Sequence, residues 1–153
     1  MNPAPPTTTD LDIHYISGFF DGGGCIVAPY NKAFGVRSVA LSVSQKHPEV
    51  LQLIQRFWGF GTISVAKRTG VSVWSVSGAK NCVVVLDDMR PWLVVKAAVA
   101  EIAIELCERI LAGAGRGEEF RSGAPLSDEE REIRAALGER ISQLNSGRGK
   151  RKP

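Results

Sequence analysis

A single positive charge, Lys96, interrupts an otherwise apolar run from Trp92 to Ala100. An ammonium among apolar neighbours needs an anion to offset its desolvation, so Lys96 reads as a pocket residue before it reads as a solvated helix charge. A second stretch, Tyr15 to Ile26, holds one acid, Asp21, followed by Gly22, Gly23 and Gly24. Gly18 and Gly22 are four apart and share one helix face, with Ser17 and Asp21 beside them. So small a stripe admits a second backbone at close range. Each helical glycine costs up to ~1 kcal/mol relative to alanine, and close helix-on-helix packing would offset that. Asp21 reads as an interface or capping group. Cys25, Cys82 and Cys107 are widely spaced, in no ligand-like pattern, and read as reduced, space-filling thiols of an intracellular protein. His47 has no evident partner.

These residues need elements to hold them. Residues 1–9 read as a disordered leader with neither the basic start nor the apolar stretch of a signal peptide. Asp10 could cap a first helix whose apolar positions are Leu11, Ile13, Ile16, Phe19 and Phe20, and which ends within the glycines. Cys25 to Tyr30 is strand-like, with Pro29 at its edge. After a turn over Asn31 to Gly35, Arg37 to Ser44 alternates cleanly, with Val39, Leu41 and Val43 on one face and Ser38, Ala40, Ser42 and Ser44 on the other. Pro48 opens a second helix that Gly59 ends. Gly61 to Ala66 forms a third strand, with Ile63 and Val65 inward. Lys67 to Gly70 makes a basic turn, and Val71 to Ser77 forms a fourth strand with Trp74 and Val76 inward. Helices follow at Ala79–Asp88, Leu93–Leu111 and, after a Gly-rich linker over Ala112–Pro125, from Ser127 to Leu144, opened by a capping box. The order is α-β-β-α-β-β-α-α-α, an α-β-β unit used twice.

One domain covers residues 10–145, with its core at 10–111, a helical extension at 126–145 and a basic tail at 146–153. The 153 residues are 44% hydrophobic, enough for one core. No run of about 18 apolar residues occurs, so no membrane span is expected. A net charge of +3 permits nucleic acid without demanding it. The four charges within Arg148–Lys152 could touch phosphates or simply be solvated.

Ile16-Ser17-Gly18-Phe19-Phe20-Asp21-Gly22-Gly23-Gly24 resembles the LAGLIDADG motif of the homing endonucleases. The αββαββα order over Asp10–Leu111 is similar to a single-motif domain of that family. The resemblance implies an α+β fold, a four-stranded antiparallel saddle-shaped sheet backed by helices, with a C-terminal helix added. It implies a homodimer joined through Ser17, Gly18, Asp21 and Gly22, and a long, pseudo-palindromic double-stranded DNA as partner. It also implies Mg²⁺-dependent phosphodiester hydrolysis. In the family, the acid at the position of Gly23 and the backbone carbonyl at the position of Gly22 hold the metal. Gln45 matches a residue that orients water, and Lys96 matches the active-site lysine. Gly23 has no side chain, so this chain should cut DNA very slowly or not at all.

The same resemblance assigns base reading to the outward strand residues, Asn31, Ser38, Ala40, Ser42, Thr62, Ser64, Ala66, Val73 and Ser75. Phosphate contacts fall to Lys32, Arg37, Lys67 and Arg68 at the hairpin tips. Bidentate base readout prefers Arg, Lys, Asn or Gln. This face is poor in them, which leaves readout to water bridges and DNA shape. Family members also act as non-cutting DNA regulators or intron-RNA splicing helpers, a second reading that Gly23 suits. A third reading is an unrelated α+β interaction domain that dimerises through its small-residue helix.

Overall fold

The computed structural model describes residues 11–32, 36–113 and 126–149. The leader, Asp10, most of the linker and the last four residues lie outside them. Helix α1 spans Ile13–Gly23, capped by Asp12, whose carboxylate accepts from the His14 backbone N–H at 2.6 Å. The cap expected of Asp10 thus falls to Asp12, two residues nearer the helix. Strand β1 (Gly24–Val27) is followed by β2 (Tyr30–Asn31), β3 (Val36–Arg37) and β4 (Ala40–Gln45). The expected first strand is therefore broken at Ala28–Pro29, where Pro29 has no N–H to offer a ladder. Its carbonyl still accepts from Ser38 at 3.0 Å, which joins the two halves of the hairpin.

Helix α2 (Pro48–Trp58) ends at Gly59, whose φ of 79° is the left-handed cap that glycine accepts without strain. Strands β5 (Thr62–Val65) and β6 (Ser72–Ser77) follow, then α3 (Ala79–Met89), a 3₁₀ turn at Arg90–Trp92, α4 (Ala97–Leu111) and α5 (Asp128–Gly149). The α-β-β repeat stands as expected. The four main strands pair antiparallel in the order β1-β4-β6-β5, while β2 and β3 form a separate two-stranded sheet.

The pleat sorts the sheet's residues. Ile26, Leu41, Val43, Trp74 and Val76 are buried beneath Ile16 and Phe20 of α1, Leu51 and Ile54 of α2, and apolar residues of α3 and α4. Trp74 donates to the Phe60 carbonyl at 3.3 Å and stacks on Trp58 at 5.7 Å. Val65 is not inward in effect, being 62% exposed. It ends the edge strand β5, where only β6 flanks it.

Helix α4 begins at Ala97 and not at Leu93, because the backbone of Val94–Lys96 is held by a residue of α1, as described below. Helix α5 runs past Leu144 to Gly149, so the expected start of the tail lies inside a helix. Its N-terminus is capped as anticipated, with the Glu130 N–H donating to Ser127 Oγ at 3.2 Å. The Glu130 carboxylate does not return to the cap. It accepts from half-buried Arg109 at 2.7 and 3.0 Å and from buried Arg134 at 3.1 Å, a triad that ties α5 to α4. Ile141 completes the core, with Leu137 and Leu144 packed against it.

Candidate nucleic-acid interface

The foot of α1 gathers several of the residues singled out above. One carboxylate oxygen of Asp21 accepts from the backbone N–H of Lys96 at 2.8 Å, and the other from Val95 at 3.0 Å and Val94 at 3.2 Å. The ammonium of Lys96 returns to the backbone carbonyl of Asp21 at 2.8 Å. Partial burial raises the Asp21 pKa, but the hydrogen bonds from Val95, Lys96 and Val94, with the nearby ammonium, hold the carboxyl below the usual carboxylate range. Asp21 is therefore a cap for the turn that leads into α4, and it brings Lys96, itself buried, against the glycine run. Gly24 pairs with Val43, so Gln45 ends β4 two residues beyond the partner of the last glycine, where it pairs with Ser72. The Gln45 side-chain oxygen accepts from the Lys46 N–H at 2.8 Å.

The residues at this foot do not make a divalent-metal site within one protomer. Mg²⁺ needs oxygen donors, ordinarily including carboxylates. Gly23 has none, and both Asp21 oxygens serve backbone N–H groups. Among the described residues no three His, Cys, Asp or Glu side chains gather as ligands. A Cβ built on Gly23 would meet nothing within 4 Å, so the position has room for a side chain.

The glycines of α1 and its C-cap divide into two kinds. Gly24 is required by the protomer itself, because a Cβ there would overlap the Phe20 ring. At Gly18 and Gly22 a Cβ would meet nothing, so the interior of the protomer gives no reason for them. Tyr15 and Val94, 52% and 80% exposed, lie on the open surface with Trp92 and Val95. Ser17 does not share that surface. It is buried inside the protomer, and its Oγ has no partner among the described residues.

On the outer sheet face the register aligns Cys25, Ser42, Ser75 and Thr62 in one row across four strands, with Thr62 and Ser75 hydroxyls 3.2 Å apart. Ser44, Val73 and Ser64 form the next row. Ala40 lies on the same face, Ala66 is exposed just past β5, and Ser38 is half-buried where the hairpin halves join. Asn31 and Lys32 are exposed near the first hairpin tip, and Lys67 and Arg68 in the second turn. Arg37 is turned inward. Its guanidinium donates to the Ala28 carbonyl at 2.9 Å, lies over the Tyr30 ring and fits against Gly138 of α5. The phosphate contact expected of it is therefore spent on the protomer's own backbone. Exposed Cys25 was missed as a face residue, although the inward position of Ile26 beside it implies an outward Cys25.

Residues 16–88 match the model of the LAGLIDADG endonuclease family. The homing endonuclease I-CvuI, solved with the I-CreI target in the presence of Mg with the DNA not cleaved, superposes with a TM-score of 0.71 at 23% identity, covering 92% of this chain and 85% of that one. The archaeal intron-encoded homing endonuclease I-Vdi141I, complexed with DNA, gives 0.67 at 19% identity over 86% and 82%. The homing endonuclease I-TnaI gives 0.67 at 15% identity over 90% and 98%. No curated protein is significantly similar in sequence. No helix among the described residues is long and apolar enough to cross a membrane. The segment from Ile16 to Asp88 thus matches the LAGLIDADG endonuclease model, and the fold built around it is the one seen in the solved homing endonucleases.

Proposed function

We propose that the chain is a homodimeric, double-stranded-DNA-binding protein on a homing-endonuclease scaffold that lacks the cutting step. The observation that carries this is the foot of α1. Lys96 is held there and Gln45 ends β4 two residues past the partner of Gly24, while Gly23 has no carboxylate and both Asp21 oxygens are committed to backbone N–H groups. Gly18 and Gly22, open on the protomer surface, support a second copy packed helix to helix, with Tyr15 and Val94 extending the contact. Outward Asn31, Ser42, Ser64 and Ser75 line the DNA, and Lys32, Lys67 and Arg68 reach its backbone. Such a protein acts inside the cell as a regulator at its site or as an intron-RNA splicing helper, roles that a foot whose one carboxylate is committed to backbone N–H groups favours over cleavage.

The test is cleavage of a randomised duplex library with Mg²⁺ by this chain, by Gly23→Asp and by Gly23→Glu, with retained DNA sequenced. The expected result is binding without cutting by the unmodified chain and cutting by a substituted one. Cutting by the unmodified chain would overturn this account of the site. Failure of all three to retain DNA would overturn the nucleic-acid reading and leave a dimerising interaction domain.

A further inference from the structure

Polar contacts from α5 fall on the first hairpin and its root. Gly138 faces Arg37, and a Cβ there would overlap the Cδ, Nε and Cζ of that side chain, so glycine is what makes the seat. Two turns along the same helix face, Asn145 Nδ2 donates to the Ile26 carbonyl at 2.7 Å, on the edge strand β1. Arg37 itself grips the Ala28 carbonyl at 2.9 Å and lies 5.7 Å over the Tyr30 ring. Ala28 and Tyr30 flank Pro29, where β1 gives way to β2. The Arg37 seat therefore sits at the joint between the main sheet and the hairpin extension. That extension, β2–β3, is a separate two-stranded sheet. Two-stranded ribbons are marginal unless something packs on them, and α5 packs on β3.

We propose that α5 is a strut that aims the hairpin tip at the outer end of the DNA site, with Lys32 at the outermost phosphates, and that Arg37 is the positioning residue through which it acts. The DNA half of this rests on the reading given above; the strut itself does not. Arg37 contributes by holding an angle and makes no phosphate contact of its own. Helix α5 becomes part of the binding apparatus without any of its residues having to touch the ligand.

Gly138→Ala in the full chain is the probe, because alanine favours a helix over glycine and any loss must come from the displaced Arg37. In the free protein, amide exchange over residues 28–32 and 36–38 should quicken about tenfold or more, while α1 and β6 keep their protection. Adding Gly138→Ala to Arg37→Ala should change those amides no further. Unchanged exchange in the single variant, or an equal effect in the Arg37→Ala background, overturns the strut. Arg37→Met keeps the apolar stem and loses the donor, and it should loosen the same amides if Gly138→Ala folds poorly.

On the duplex enriched by the wild-type chain, Gly138→Ala should lose hydroxyl-radical protection at the outermost positions only. The slope of log affinity against log salt should also fall by about one per protomer, as for one lost phosphate contact. Uniform loss of protection would mean a merely structural role and overturn the positioning claim. If the wild type enriches no duplex, the DNA half falls with the reading beneath it, and the exchange result decides the strut alone.

Discussion

Asp21→Ala should detach the Val94–Lys96 turn from α1, and the structure sets the size of the effect. The carboxylate accepts three backbone N–H groups. A hydrogen bond to a charged group contributes about 1.5–3 kcal/mol when its loss strands a buried partner. Val94 and Val95 are 80% and 56% exposed, so their amides can turn to water and contribute little. The Lys96 amide belongs to a buried residue and loses most. The total comes to roughly 2–3 kcal/mol. In a domain of this size that corresponds to a fall of roughly 4–12 °C in Tm. Asp21→Asn keeps one oxygen acceptor and should lose about half as much. Thermal unfolding followed by circular dichroism measures the first effect, and amide exchange at residues 94–96 shows whether the loss is local. An Asp21→Ala protein that melts with the wild type would refute the capping role. If Asp21→Asn also abolished Ca²⁺ binding in the Gly23→Asp background without lowering Tm, Asp21 would be a ligand instead.

Three further outcomes are expected. The Arg109 hydrogen bond, with Arg134 behind it, lowers the Glu130 carboxyl below its ordinary value of 4.5; its stabilisation is therefore complete above pH 4.5 and drains away as pH falls through the lower folded value, so Glu130→Gln should flatten the acid side of a Tm-against-pH curve. Exposed Cys25 should react at once with a thiol reagent, whereas Cys82 and Cys107, buried and pushed up to about 12, should react only after denaturation; three fast thiols in the native protein would contradict the packing. Gly61 has a φ of 94° and its Cβ would overlap Trp74 Nε1, so Gly61→Ala should cost about 2–4 kcal/mol in urea unfolding, from backbone strain and overpacking together.

Much of the fold was legible because its signals are local. The pleat writes itself into Val39, Leu41 and Val43 against Ser42 and Ser44, and Gly59 marks a helix end through its own φ. The α-β-β repeat followed from such short-range patterns, and the motif pointed to Gly22, Gly23, Gln45 and Lys96 as candidates. At the start of the first helix a local rule chose less well: Asp10 precedes the apolar run, but Asp12, one residue inside it, is the cap that the geometry of the turn picks.

By itself, the sequence determined the order of elements, the inward faces of the central strands and the absence of a side chain at residue 23, since a missing Cβ at Gly23 is a property of that residue alone. Tertiary structure decided what the charged groups do. Asp21 and Lys96 meet across a separation of 75 residues, and Arg37 meets Gly138 from the other end of the chain. The same types, an acid beside glycines and an arginine near a hairpin tip, would serve equally as metal ligand and phosphate contact if left exposed. Which role they take depends on the buried amides and carbonyls that folding brings to them. A desolvated backbone group must find a partner, and in this fold those two side chains are the partners it finds.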